Sequence, residues 1–554
     1  MKQPQMLKFI KNKKPILTTW QILLVAILVL GLFFRFANLD GKVYWSDETF
    51  TSLRVSGYTA EAYTNKIVAG DELGIKDFQK YQRLNSEKNL PDLVNGLAVE
   101  EPQNPPLYFM MVRFWVQLFG ESAAITRSFS AAISLLSLPC IYWLCHELFG
   151  IPLAGAIAMA LLASSPLHVL YAQEARPHSL WTLTILLSGA ALLRAIRLGT
   201  KLNWSIYAVA IALSLYTYMF SALVAIGHSI YVVVNSGFRF TKTVRNYLIA
   251  SLGGVLLFSP WIFAIVRSVS NTQETTSWTN LKVSLTLLIR TWLLNLSRCF
   301  IDLDYNFLTR NYLMYLAIPA VAILVGYSIY FLVKSAPAKV WLFILTLMGV
   351  TAIALILPDL IVGGRRSSVV RYVMPCYLGI QLAIAYLFAA KISKSIQIWQ
   401  QRLWRIVMVA LISGGIVSCA VSSQAQTWWN KYNSYHIPDV ARIINQSERP
   451  LVLWSGVPPL DLTYLLNPNV KLQPVMRQTI DLPDGERVQK HSLKPISEGF
   501  SDIFAFGHND PNSHLVQEFL EQQQYKLKEV HRSKRWIEPV YETKLVLWSV
   551  SKQK

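Results

Sequence analysis

The chain has 554 residues, 53% of them apolar and 15% charged, with a mean hydropathy of +0.35 and a formal net charge of +20. Soluble domains carry roughly 25% charged residues, so a water-soluble globule is excluded. An aromatic content of 12% excludes a disordered or low-complexity chain. The apolar residues come in blocks, which is the pattern of an integral membrane protein.

A hydrocarbon core of ~30 Å takes about 20 apolar residues per helix. Windows of that kind predict about eleven spans, near 16–34, 125–145, 151–168, 179–194, 204–219, 221–235, 247–266, 311–333, 340–358, 373–390 and 406–423. The first follows a lysine-rich start (Lys2, Lys8, Lys11, Lys13, Lys14) and has no small-residue cleavage site before Arg35, which predicts a retained anchor. With the N-terminus in the cytoplasm, the inward segments hold 17 lysines and arginines against one acid, Glu147, while the outward loops mix both signs. That asymmetry accounts for much of the net charge, so no nucleic-acid partner is expected. Eleven spans from an inside start leave the C-terminus outside.

Two outward segments are large. The loop 35–124 is rich in acids and includes the run Pro106–Phe119, which Arg113 interrupts and which is too short to span; it reads as an interfacial helix on the outer leaflet. The connection 267–310 contains a second helical stretch, and both segments suit lids as well as they suit scaffolding. From about 425 the composition becomes that of a soluble domain. Short strands at 450–455, 502–507 and 544–550 alternate with helical patterns at PDVARIINQ and SHLVQEFLEQQQYKL. No nucleotide-binding glycine motif occurs there, and this domain is expected to shape or cap an outer cavity. The prediction is mainly α: a polytopic bundle over 1–424 and an extracytoplasmic α/β domain over 425–554. The five cysteines, Cys140, Cys145, Cys299, Cys376 and Cys419, lack metal-knuckle spacing and read as small helix residues, with Cys299 near the end of a connecting loop.

Four polar clusters fall at outward span ends. Tyr44-Trp45-Ser46-Asp47-Glu48 places two carboxylates at the interface, where helix capping explains them as readily as a general base does. Glu101-Pro102-Gln103-Asn104-Pro105-Pro106-Leu107-Tyr108 leads into the interfacial helix, and its prolines suit a first helical turn. Tyr171-Ala172-Gln173-Glu174-Ala175-Arg176-Pro177-His178 puts a carboxylate and a guanidinium near membrane depth, where such groups face a cavity or a partner. A Glu174–Arg176 contact is one option, although residues two apart on a helix do not face each other. His168 and His178 read as interface histidines. Gly363-Gly364-Arg365-Arg366, followed by Arg371-Tyr372, sets three arginines outside against the charge rule; a phosphate or anionic lipid headgroups would account for them.

In this order of motifs the sequence resembles the GT-C superfamily of polytopic glycosyltransferases, in the branch of the protein O-mannosyltransferases and the lipid A aminoarabinose transferase. The resemblance covers about 15–390. It implies that Asp47 is the catalytic acid/base and Glu174 the second acid of the site. It also implies that Arg371, with Arg176, Arg365 and Arg366 as companions, holds a polyprenyl phosphate. Glu48, Asn104, Tyr108 and Tyr372 are the further substrate-side candidates. Family members often carry His or Lys before the prolines, where this chain has Asn104, so no metal is assigned and a divalent cation stays an open possibility.

The function so implied is transfer of a sugar from a polyprenyl-phosphate donor to a lipid, glycan or protein acceptor. It would occur at the outer face of the plasma membrane, with inversion. A transporter or flippase for lipid-linked glycans is the alternative, and would show charges at mid-depth and broken helices. No internal repeat is evident, and a receptor with a C-terminal sensing domain is a third possibility.

Overall fold

The computed structural model describes residues 19–67, 69–304, 312–394, 397–456, 459–481, 487–508, 513–538 and 541–552. The lysine-rich start and the last part of the 267–310 connection lie outside them. Each of the eleven predicted windows holds helix: Thr19–Phe36, Ala123–Phe149, the pair Pro152–Ala163 and Pro166–Ala172, His178–Leu198, Lys201–Thr217, Ser221–Asn235, Lys242–Arg267, Tyr312–Ser335, Ala338–Ile361, Met374–Lys394 and Ile398–Gln424. Among the described residues, seven helices are long and apolar enough to cross a membrane alone, and the bent pair counts as an eighth. The chain is a multi-pass membrane protein.

The window 151–168 is a broken helix, not a straight span. Its halves meet at 59°, because Pro166 lacks an amide hydrogen and disfavours helix in the residue before it. The break frees carbonyls at the end of Pro152–Ala163. Arg35, buried on the first helix, donates to Leu162 O and Ala163 O at 3.1 and 3.0 Å. Its charge thus sits at the negative end of a helix dipole. The two ends of the bundle differ in charge: Glu147 and Arg197 pair at 2.7 Å where Ala123–Phe149 and His178–Leu198 finish, and the acids and arginines singled out above gather where those helices begin.

The interfacial run forms the helix Leu107–Phe119, exposing Phe114, Leu118 and Phe119 while Tyr108, Phe109, Val112 and Val116 pack inward. Arg113 does not interrupt that packing. It is buried and donates to Val55 O and Lys88 O at 2.6 and 2.8 Å, closing two carbonyls of the same loop. Cys299 follows the helix Leu285–Arg298 as its C-terminal cap, in a turn near the end of the connection and fully buried, and the five cysteines are free.

Beyond Gln424 the predicted strands appear as Pro450–Trp454, Asp502–His508 and Tyr541–Lys552. The second predicted helix stops at Gln522, and the chain turns through Gln524, with φ of 63°, into the strand Tyr525–Glu538. The sheet has six strands in the order Leu73–Gly74, Lys471–Pro474, Pro450–Trp454, Asp502–His508, Tyr541–Lys552, Tyr525–Glu538. Its first strand comes from the 35–124 loop: Leu73 sits opposite Leu472, antiparallel. Leu53, Tyr63 and Phe78 of that loop share one core with Val440, Trp454, Leu472 and Phe504. The C-terminal unit and the first large loop are therefore one body above the bundle.

Candidate active site

The site starts at the helix Ser46–Ser56. Trp45, extended at φ −80° and ψ 171°, precedes it without a side-chain cap, so neither Ser46 nor Asp47 is the capping residue. Asp47 and Glu48 lie in the first turn, where the dipole favours acids. Neighbours on a helix point about 100° apart, and the two carboxylates enter different surroundings.

Glu48 is sealed, at 0% exposure. Arg127 grips both its oxygens at 2.7 Å, the Ala175 amide donates to it at 2.9 Å and Lys431 Nζ reaches it at 3.2 Å. Arg127 also closes the carbonyls of Leu39, Lys42 and Val43. Burial alone would raise the Glu48 pKa; Arg127 and Lys431 outweigh it and hold the group well below the usual carboxylate range.

Glu174 is equally buried, in the turn between Pro166–Ala172 and His178–Leu198. Its Oε1 accepts from Lys431 Nζ at 3.2 Å and from the Asn430 amide, while Oε2 has no partner. Burial, with Glu48 and Asp47 close by, pushes its pKa up despite Lys431. There is no Glu174–Arg176 pair. Arg176 turns the other way, donating to Asp47 O and Thr51 Oγ1 at 3.2 Å each, with Nε 3.9 Å from Asp47 Oδ2.

Asp47 is 28% exposed and faces Arg371, whose Nη1 lies 3.4 Å from Oδ2. Arg371 sits among Trp45, Trp278, Tyr372 and Tyr432, with ring centroids 5.7–6.0 Å from its guanidinium carbon. Asp47, Glu174 and Arg371 thus converge, linked through Arg176 and through the Glu48–Lys431–Glu174 chain. Arg365 joins through Trp278, the same indole that Arg371 approaches, at 5.6 Å.

Arg366 does not join. Gly363 and Gly364 have φ of +85° and +143°, and a Cβ on Gly364 would fall 2.7 Å from Asp359 Oδ1. The double glycine lets Arg366 fold back onto Asp359 at 3.1 Å and onto Asn280, fastening that loop. Asn104 donates to Glu101 at 2.7 Å, and Glu101 accepts from Arg54 at 2.8 Å. Tyr108, fully buried, bonds Ser130 at 2.8 Å, and Ser130 donates to Arg176 O at 3.3 Å. Asn104 and Tyr108 therefore brace the site from behind. His168 and His178 are buried and line a small cavity with Arg35, Ser134, Ser137 and Tyr171. Among the described residues no three His, Cys, Asp or Glu side chains group as metal ligands.

Sequence reasoning missed Arg127, Trp278, Asn430 and Lys431. Arg127 carried a signal, a lone arginine at the mouth of an apolar window. Lys431 carried a weaker one, a lysine within the aromatic run Trp428-Trp429-Asn430-Lys431-Tyr432.

Residues 103–263 match the family model of dolichyl-phosphate-mannose-protein mannosyltransferases, a stretch that includes Arg127, Glu174 and Arg176. No curated protein sequence matches the chain. The crystal structure of ArnT from Cupriavidus metallidurans bound to undecaprenyl phosphate is similar at a TM-score of 0.53 and 14% identity, covering 96% of this chain and 98% of that one. The apo state of the same protein gives 0.54 and 13%, over 96% and 97%. The fold is shared along nearly the whole length. With the family match across the Glu174 turn, it bears out the resemblance to the GT-C superfamily, in its mannosyltransferase and aminoarabinose-transferase branch.

Proposed function

We propose that the chain is a glycosyltransferase that moves a sugar from a polyprenyl-phosphate donor to an acceptor hydroxyl at the outer face of the plasma membrane. One observation carries this: Arg176 and Arg371 share the single partly exposed carboxylate of Asp47. That leaves a positive charge in excess at the open end of the cluster, and a guanidinium fork matches a phosphate. A lipid phosphate arriving at Arg371 would take over part of that guanidinium's contacts and leave the Asp47 carboxylate free to face the acceptor hydroxyl.

The acceptor oxygen then attacks the anomeric carbon from the face opposite the phosphate. The new C–O bond forms as the bond to the phosphate oxygen breaks, and the anomeric configuration inverts. The bonding pair leaves with the phosphate, whose growing charge meets Arg371, and the acceptor proton passes to the Asp47 carboxylate. Glu174, held by Lys431 and Asn430, positions the sugar or the acceptor. The supporting fold is that of ArnT, whose crystal structure holds undecaprenyl phosphate.

The test is a membrane-extract assay with several radiolabelled polyprenyl-phosphate sugars, comparing the parent with Asp47→Asn. Chain-dependent transfer of label is expected from the parent. The break at 164–165 and its buried Arg35 are what a flippase would also show. Movement of labelled lipid across the bilayer with no transfer to any acceptor would favour that reading and end this one.

A further inference from the structure

We propose that Lys431 is a positioning residue through which the connector to the C-terminal domain completes the active site. The proposal rests on the reading of the Asp47 cluster given above. Lys431 lies in the short helical stretch Trp429–Ser434, which follows the last bundle helix and precedes the C-terminal sheet. It is 1% exposed, and its ammonium bridges Glu48 and Glu174 at 3.2 Å each. No other side chain joins those two acids, one on the Asp47 helix and one on the Arg176 turn, among the described ion pairs.

The connector is built to deliver it. Trp428 and Trp429 both donate to Asp302 Oδ2, at 2.9 and 2.6 Å, and the Arg298 guanidinium lies 3.7 Å from the Trp429 ring centroid. Ser434 Oγ accepts from the Ser46 amide at 3.1 Å and donates to Asp461 of the C-terminal unit. Between these anchors Tyr432 has φ of 33° and ψ of −108°, where a residue with a Cβ is strained. That kink sends Lys431 down between the acids and sets the Tyr432 ring 5.7 Å from that of Trp45.

Without the ammonium, Glu48 keeps Arg127 and the Ala175 amide, but Glu174 keeps Asn430 alone. A buried carboxylate left without a cation takes up a proton. The charged groups around the pair are Asp47, Arg127, Arg176, Arg371 and Lys42, and Lys42 is engaged with Gln173 at 3.0 Å. None of these cations bonds Glu174, so none replaces Lys431. Displacing the C-terminal body would withdraw Lys431 and loosen the spacing of Asp47 from Arg176.

The experiment uses the full-length chain in detergent, with Lys431→Met, Lys431→Arg and the double variant Lys431→Met/Glu174→Gln. Thermal midpoints from pH 5 to 8 and transfer kinetics are read on each. Lys431→Met should lose on the order of 10²-fold in kcat. Its midpoint should fall further below the parent as pH rises, because its folded state holds a proton on Glu174 that the unfolded chain releases. The double variant should regain the midpoint at every pH without regaining activity, and Lys431→Arg should recover part of the rate. A Lys431→Met midpoint that runs parallel to the parent's, with no gain from Glu174→Gln, overturns the proposal, as does a kcat within threefold of the parent. If the stability cycle comes out as stated while Asp47→Asn remains fully active, the coupling stands and the assignment of Asp47 as the base fails; if the cycle holds while the parent transfers no label to any acceptor, the coupling stands and the transferase reading fails.

Discussion

Asp47 and Glu48 are adjacent in the chain and opposite in circumstance. Glu48 is enclosed by Arg127, Lys431 and the Ala175 amide, with both oxygens saturated, whereas Asp47 is partly open to solvent between two guanidinium groups. The sealed cluster fixes elements far apart in sequence; the open one has charge to offer a ligand. Identical chemistry can be structural or reactive according to whether its hydrogen bonds are already complete.

The contrast breaks most visibly at the sealed acid. Glu48→Gln strands Arg127 in the interior, and removing one partner of a buried pair costs about 3–5 kcal/mol. Thermal unfolding or yield of folded protein in detergent should register that loss, while Asp47→Asn should leave the midpoint within a few degrees of the parent. Next in size, Arg371→Ala removes charge-assisted bonds worth about 1.5–3 kcal/mol each. Donor kcat/KM should fall by about 10- to 100-fold, in a titration of polyprenyl-phosphate sugar. Arg366→Ala, whose guanidinium is committed to Asp359 and Asn280, should change donor kcat/KM less than threefold.

The pH response sharpens the same distinction. Glu48 sits below its unfolded pKa, so its contribution to stability is complete above about pH 4.5 and drains away as pH falls toward the folded value of about 2. Glu174 has the opposite sign: its raised pKa gives stability at low pH that is lost as pH rises through that value. Midpoints of Glu48→Gln should therefore lack part of the parent's acid lability, and those of Glu174→Gln part of its decline as pH rises above about 4.5.

Much of this was legible in the sequence. Apolar blocks of ~20 residues found the helices, since hydropathy reports directly on the solvent. Asp47, Glu174 and Arg371 stood out because ionisable groups at span ends are costly without a partner. The break at 164–165 escaped a hydropathy window that counts apolar residues and passes over what Pro166 does to the backbone. The pairing of Arg366 with Asp359 could not be read because Asp359 lies on the far side of a glycine turn that only the backbone reveals. Lys431 was missed because it bonds acids 383 and 257 residues away, from a segment that reads as the edge of a soluble domain. The strand Leu73–Gly74 is too short to announce itself, and its place depends on Lys471–Pro474.

The most direct measurement is the rate of sugar transfer from a radiolabelled polyprenyl-phosphate donor by Asp47→Asn, on protein whose thermal midpoint matches the parent. Loss of the general base should lower that rate by about 10²- to 10⁴-fold. A folded Asp47→Asn protein that transfers within threefold of the parent would contradict the account.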